Sequence, residues 1–143
     1  MISPNLRVLL VEDDDIDAEA VKRGFAKAGV ACPLYRATNG IQALAMLRKK
    51  DGDFQNVPYV VLLDLKLPQM NGPEFLAAIR ADEELRKSVV FVLTTSNDPK
   101  DKLTAYSHCV AGYITKSNAG VEFRNLIQLL GTYAEINEFP ICA

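Results

Sequence analysis

The sequence has no tryptophan, one histidine and only three cysteines in 143 residues. Cys32, Cys109 and Cys142 are odd in number and show no C-x-x-C spacing, which argues against both a disulfide framework and a zinc site. An excess of one charge is also lacking: 16 basic residues face 18 acidic ones, a net charge of −2. That balance supplies no positive field for binding nucleic acid or a membrane surface through charge. No stretch approaches the ~20 apolar residues of a membrane span, and the opening MISPNLRVLLVEDD has no basic segment followed by a long apolar run. The expectation is a soluble, cytoplasmic protein with no nucleic-acid or membrane partner. Internal repeats and low-complexity tracts are absent as well. The single histidine, His108, lies beside Cys109 at a helix end without an acidic frame, and reads as structural or exposed rather than as a phosphotransfer group.

What is present is an ordinary globular composition, 49% hydrophobic and 24% charged. At this length one compact domain is expected. Short apolar runs alternate with stretches of helical periodicity, the pattern of an α/β fold with a parallel sheet. The runs RVLLV (7–11), LYRA (34–37), YVVLL (59–63), VVFVLT (89–94) and GYIT (112–115) read as strands. The first, third and fourth are nearly continuous in Val, Leu and Phe, as in strands covered on both faces. Helices are expected over 15–28, 40–49, 73–80, 99–108 and 121–136. Gly29 suits a C-terminal cap, Pro73 and Pro99 suit first turns, and Asp98 suits an N-cap. The polar stretch 50–58 reads as a long helix-to-strand loop. Right-handed crossovers then give an open, doubly wound sheet, whose site lies beyond the carboxyl ends of the strands.

Those ends carry the chemistry. The first strand runs into Glu12, Asp13, Asp14 and Asp15, where a phosphate-binding fold would place glycine. Four adjacent carboxylates repel one another unless a cation neutralises some of them, and hard oxygen ligands suit Mg²⁺. Asp14 or Asp15 also suits capping of the following helix. The third strand ends in Asp64, a lone carboxylate after a continuous apolar run, followed by a turn rich in Pro, Asn and Gly. The fourth ends in Thr94-Thr95-Ser96 and the fifth in Tyr113-Ile114-Thr115-Lys116. A carboxylate nucleophile, an acid cluster suited to Mg²⁺, a hydroxyl and an ammonium together suit phosphoryl transfer by positioning and electrostatics.

VLLVEDD, VVLLDLKLPQMNG, VFVLTTS and GYITK, in this order and at these intervals, resemble the strand-end motifs of response regulator receiver domains. The resemblance covers residues 5–136 as a core, with 137–143 as a tail of the same single domain spanning 1–143. It implies a flavodoxin-like five-stranded parallel sheet of order 2-1-3-4-5 with five helices. It further implies that Asp64 is the phosphoacceptor and that Mg²⁺ is held by Glu12, Asp13, Asp64 and the backbone carbonyl of Lys66. Of the acid pair, Asp13 would bind directly and Glu12 through water. By the same likeness Thr94 is the switch hydroxyl, Tyr113 the aromatic that changes rotamer, and Lys116 the phosphate-pairing cation. One departure stands out: Ser117 follows Lys116 where the family commonly has Pro. A cis peptide is therefore not expected there.

The implied partner is a sensor histidine kinase or a phosphotransfer protein. With no output domain following the receiver, a stand-alone regulator or phosphorelay shuttle is expected. The 50–58 loop, the TKS sequence and the tail are similar to those of regulators paired with bacterial phytochrome kinases. The chain should thus be a phosphoacceptor with slow self-dephosphorylation rather than a turnover enzyme. A haloacid-dehalogenase-like phosphatase fits less well, because Lys66 stands where that family has a second Asp. A flavodoxin-like flavin carrier is disfavoured by carboxylates in place of a phosphate loop. On the last helix, Phe123, Leu126, Ile127 and Leu130 follow the spacing of a sheet-facing stripe. A second stripe, Leu129, Tyr133 and Ile136, continues to Phe139, Pro140 and Ile141 and is the expected surface of a homodimer.

Overall fold

The computed structural model describes residues 6–30 and 32–140. Five strands, β1 (Arg7–Val11), β2 (Leu34–Ala37), β3 (Tyr59–Leu63), β4 (Val89–Thr94) and β5 (Gly112–Thr115), alternate with five helices. These are α1 (Asp15–Lys27), α2 (Gly40–Arg48), α3 (Gly72–Ala81), α4 (Pro99–Ser107) and α5 (Arg124–Ile136). All strand pairings are parallel, and the sheet order is β2-β1-β3-β4-β5. The flavodoxin-like architecture read from the sequence is the one observed.

Alternation along each strand divides the core into two layers. Leu9, Val11, Val61, Leu63, Val90 and Val92 face Leu44 and Leu47 of α2 and Phe75, Leu76 and Ile79 of α3. Val8, Leu10, Val60, Leu62, Phe91 and Leu93 face Val21 and Phe25 of α1 and Leu126, Ile127 and Leu130 of α5. Both faces being covered explains why the central strands are apolar without interruption.

Local chemistry sets the helix ends. Asp14 caps α1, accepting from the N–H groups of Ile16 and Asp17. Gly29 adopts a φ of +69°, and its N–H and that of Val30 return to the carbonyls of Ala26 and Phe25, closing α1 in a Schellman turn. Asn71 and Glu74 form a reciprocal capping box at α3, and Asp98 caps α4 ahead of Pro99. Arg80, at the end of α3, donates to the carbonyls of Arg86, Ser88, His108 and Cys109, tying the segments before β4 and β5 together.

Three expectations need correction. The last helix does not run from residue 121: Val121–Phe123 is a separate 3-10 turn, with Glu122 and Phe123 both in the left-handed region, and α5 begins at Arg124. Contacts with α1 impose that break. Glu122 meets Lys27 at 2.6 Å and Arg23 at 3.6 Å, and Phe123 is buried. Gly24 makes room for this turn, since a Cβ there would stand 2.4 Å from the Glu122 carbonyl oxygen.

The loop 50–58 is not wholly a polar surface segment. Phe54 inserts into the core between Tyr35 and Tyr59, edge-on to each at 5.2 and 5.4 Å.

The second stripe of the last helix is split. Tyr133 packs edge-on against Phe91 and Phe139 within the chain, whereas Leu129 and Ile136 are 44% and 80% exposed. Ile141 and Cys142 lie outside the described residues. Cys32 is buried and Cys109 exposed, both as free thiols. No helix among the described residues is long and apolar enough to cross a membrane.

Candidate functional site

The last rungs of the sheet position two of the acids. The Glu12 N–H donates to the Ala37 carbonyl at 2.9 Å, and the Asp64 N–H donates to the Val11 carbonyl at 3.0 Å. Their side chains, 2% and 7% exposed as residues, therefore leave a rigid ladder at adjacent strand ends. Asp13, one residue further, is exposed. One carboxylate oxygen from each of Glu12, Asp13 and Asp64 lies within 4.8 Å of the others. Arg36 at the end of β2 steadies the same loop, donating from Nε to the Glu12 carbonyl at 3.0 Å and pairing with Asp15 at 2.8 Å.

Both oxygens of Asp64 are engaged. Oδ1 accepts from Thr94 Oγ1 at 3.0 Å and from the Lys66 N–H at 3.3 Å. Oδ2 lies 3.2 Å from Lys116 Nζ. That ammonium also meets Glu12 Oε1 at 2.7 Å and Asp17 Oδ2 at 2.6 Å. Burial pushes the Glu12 carboxyl up to about 7 and the Asp64 charge adds to the rise, while Lys116 pulls the other way. Burial alone would lower the Lys116 pKa, but hydrogen bonds to Asp17 and Glu12 and the charge of Asp64 raise it well above the usual lysine range.

Thr94 is fully buried, and its Oγ1 also lies 3.4 Å from the Ser96 N–H. Tyr113 reaches the cluster only through that loop: its hydroxyl donates to the Ser96 carbonyl at 3.0 Å. Ser96 Oγ in turn donates to Asp101 of α4. The Lys66 side chain is exposed, and its backbone N–H is the part that touches Asp64. Lys116 opens a one-turn 3-10 segment, Lys116–Asn118, and no peptide among the described residues is cis.

Glu12, Asp13, Asp64, Thr94 and Lys116 are thus brought together, with Tyr113 one hydrogen-bonded step away. Two contacts were missed in the sequence, Asp17 and Arg36. Asp17 sits in the first turn of α1, where an acid is ordinary, and Arg36 carried no signal of its own. The donor set fits a small divalent cation: three hard carboxylates converge, and they are neutralised only in part by one ammonium.

Fold and sequence together define the class of this protein: the chain belongs to the response regulator receiver domain family, whose model matches residues 8–128. The family serves two-component signalling. Response regulator Rcp1 of Synechocystis is 34% identical over 139 residues, covering 96% of this chain and 90% of that protein. Its Mn²⁺-bound crystal structure matches with a TM-score of 0.78 at 31% identity, over 96% of this chain and 99% of that one. The phosphorylated cyanobacterial phytochrome response regulator RcpA matches with a TM-score of 0.76 at 30% identity, over 96% and 99% of the two chains. A receiver domain from Rhodospirillum rubrum gives 0.80 at 30%, over 95% and 98%.

Proposed function

We propose that this receiver accepts a phosphoryl group on Asp64 from the phosphohistidine of a sensor histidine kinase or a phosphotransfer protein. The observation that carries this reading is the Asp64 carboxylate itself. It is buried at a strand end, held at one oxygen by Thr94 and Lys66 and at the other by Lys116, and set beside two further acids. An Asp64 oxygen attacks phosphorus, the bond from phosphorus to the imidazole nitrogen breaks, and the electron pair stays on that nitrogen, which takes up a proton. An acyl phosphate results. Mg²⁺, when bound, neutralises phosphoryl oxygens as charge shifts in the transition state. Glu12, Asp13, Asp64 and the Lys66 carbonyl are the groups that would hold it.

Lys116 supplies positive charge to the phosphoryl group, and Thr94 turns its hydroxyl from Asp64 toward it. Because Thr94 Oγ1 also meets the Ser96 N–H, and Tyr113 bonds the Ser96 carbonyl, that turn reshapes the segment between β4 and α4. Water later attacks phosphorus, releasing inorganic phosphate and regenerating Asp64. This self-limited hydrolysis is a reset, not substrate turnover.

The chain 1–143 acts in the cytoplasm as one receiver domain, with 5–136 as its core and 137–143 as its tail. Its likeness to the cyanobacterial phytochrome response regulator RcpA supports a bacterial phytochrome kinase as partner. The exposed Leu129 and Ile136 support homodimerisation through the last helix and tail. Beryllofluoride with Mg²⁺, a stable phosphoryl mimic, is expected to shift the nuclear magnetic resonance signals of Thr94, Ser96 and Tyr113. The same spectra unchanged, or changed equally in Asp64→Asn, would contradict the reading.

A further inference from the structure

We propose that Asp17 is a positioning residue that anchors the Lys116 ammonium beside Asp64, a role that rests on reading Asp64 as the phosphoacceptor. An ammonium has three N–H donors, and Lys116 Nζ has three carboxylate partners. Asp17 Oδ2 at 2.6 Å and Glu12 Oε1 at 2.7 Å are the short contacts, while Asp64 Oδ2 at 3.2 Å is the long one. The two short contacts come from different elements, α1 and the end of β1. Together they hold the cation with one donor directed at the reacting carboxylate.

Asp17 differs from the other two partners in what a metal would do to it. Glu12 and Asp64 belong to the converging acid set, so a divalent cation there competes with the ammonium for their oxygens. Asp17 stands outside that set. It remains the anion that keeps Lys116 in place when the metal is bound and the phosphoryl group arrives. The need for such an anchor follows from the local backbone: Lys116 opens a 3-10 turn that has no side-chain cap, and its long stem must be ordered to stay useful. The favourable placement of Asp17 in the first turn of α1 does not account for this contact, since Asp15 occupies the same turn and pairs with Arg36 instead.

The test compares wild type, Asp17→Asn, Asp17→Glu and, as a control, Glu19→Gln, an exposed acid of α1 that pairs with Lys22 at 3.6 Å, in two ways. In metal-free protein at low temperature, the Lys116 ammonium is expected to give a proton–nitrogen signal protected from exchange. Asp17→Asn should speed its exchange about tenfold, Asp17→Glu should recover much of the protection, and Glu19→Gln should leave it unchanged. With Mg²⁺ and acetyl phosphate, the initial rate of phosphorylation should fall about tenfold in Asp17→Asn and recover in Asp17→Glu, while thermal stability stays near wild type. A Lys116 signal and a phosphorylation rate in Asp17→Asn equal to wild type overturn the proposal. Failure of the wild type to take up phosphate would overturn the phosphoacceptor reading instead, and the ammonium signal alone then decides whether Asp17 anchors Lys116.

Discussion

At the residue scale the site is governed by buried charge. Glu12 has a folded pKa of about 7 against 4.5 for an unperturbed carboxyl, so between those values the folded chain binds more protons than the unfolded one. Its contribution to the stability of metal-free protein is therefore greatest below about pH 4.5 and declines as pH rises through about 7. A divalent cation favours the carboxylate and should abolish the decline. Thermal midpoints measured from about pH 5 to 8, with chelator and with Mg²⁺, should show a downward slope only in chelator, and Glu12→Gln should remove it. Lys116→Met strips the buried acids of their cation. It is expected to cost the metal-free protein about 3 kcal/mol by denaturant titration, with Mg²⁺ restoring much of the loss. Equal destabilisation with and without metal would contradict this account. Most of this site was legible because each group closes an apolar run, where a charge stands out. Asp17 was not, because an acid in the first turn of a helix already has an ordinary explanation.

At the element scale all five strands were legible to the residue, the central three because their runs of Val, Leu and Phe end abruptly at polar or charged residues. Helix starts at Asp15 and Pro99 followed from caps and proline placement, and the ends differed by a single residue. The break before α5 was illegible. The apolar spacing passes through Phe123 without interruption, and the left-handed turn is held by Lys27, Arg23 and the space at Gly24 on another helix. Gly24→Ala should therefore cost more than an ordinary helical substitution, which would gain about 1 kcal/mol, and should free the Glu122 contacts. An unchanged or raised stability by chemical unfolding would sink that explanation. Arg80 was equally silent in the sequence, since its four acceptors are backbone carbonyls from two distant segments. Arg80→Ala should lose about 3 kcal/mol, and Arg80→Lys should recover only part because an ammonium lacks the planar fork.

At the scale of the whole molecule, the two-layered core leaves the strand ends as one charged edge and two apolar side chains on the otherwise polar outer side of α5. Leu129 and Ile136 are exposed there, while Tyr133 packs on the chain's own Phe91 and Phe139 packs on Tyr133. Sedimentation should show a dimer at micromolar concentration that Leu129→Asp with Ile136→Asp converts to monomer; a wild-type monomer would remove the dimer from the account. The central claim, that Asp64 is the phosphoacceptor, is tested most directly by the intact mass of the protein after incubation with Mg²⁺ and acetyl phosphate. The prediction is one added phosphoryl group, absent in Asp64→Asn and absent when the metal is chelated. No added mass in the wild type, or the same adduct in Asp64→Asn, would contradict it.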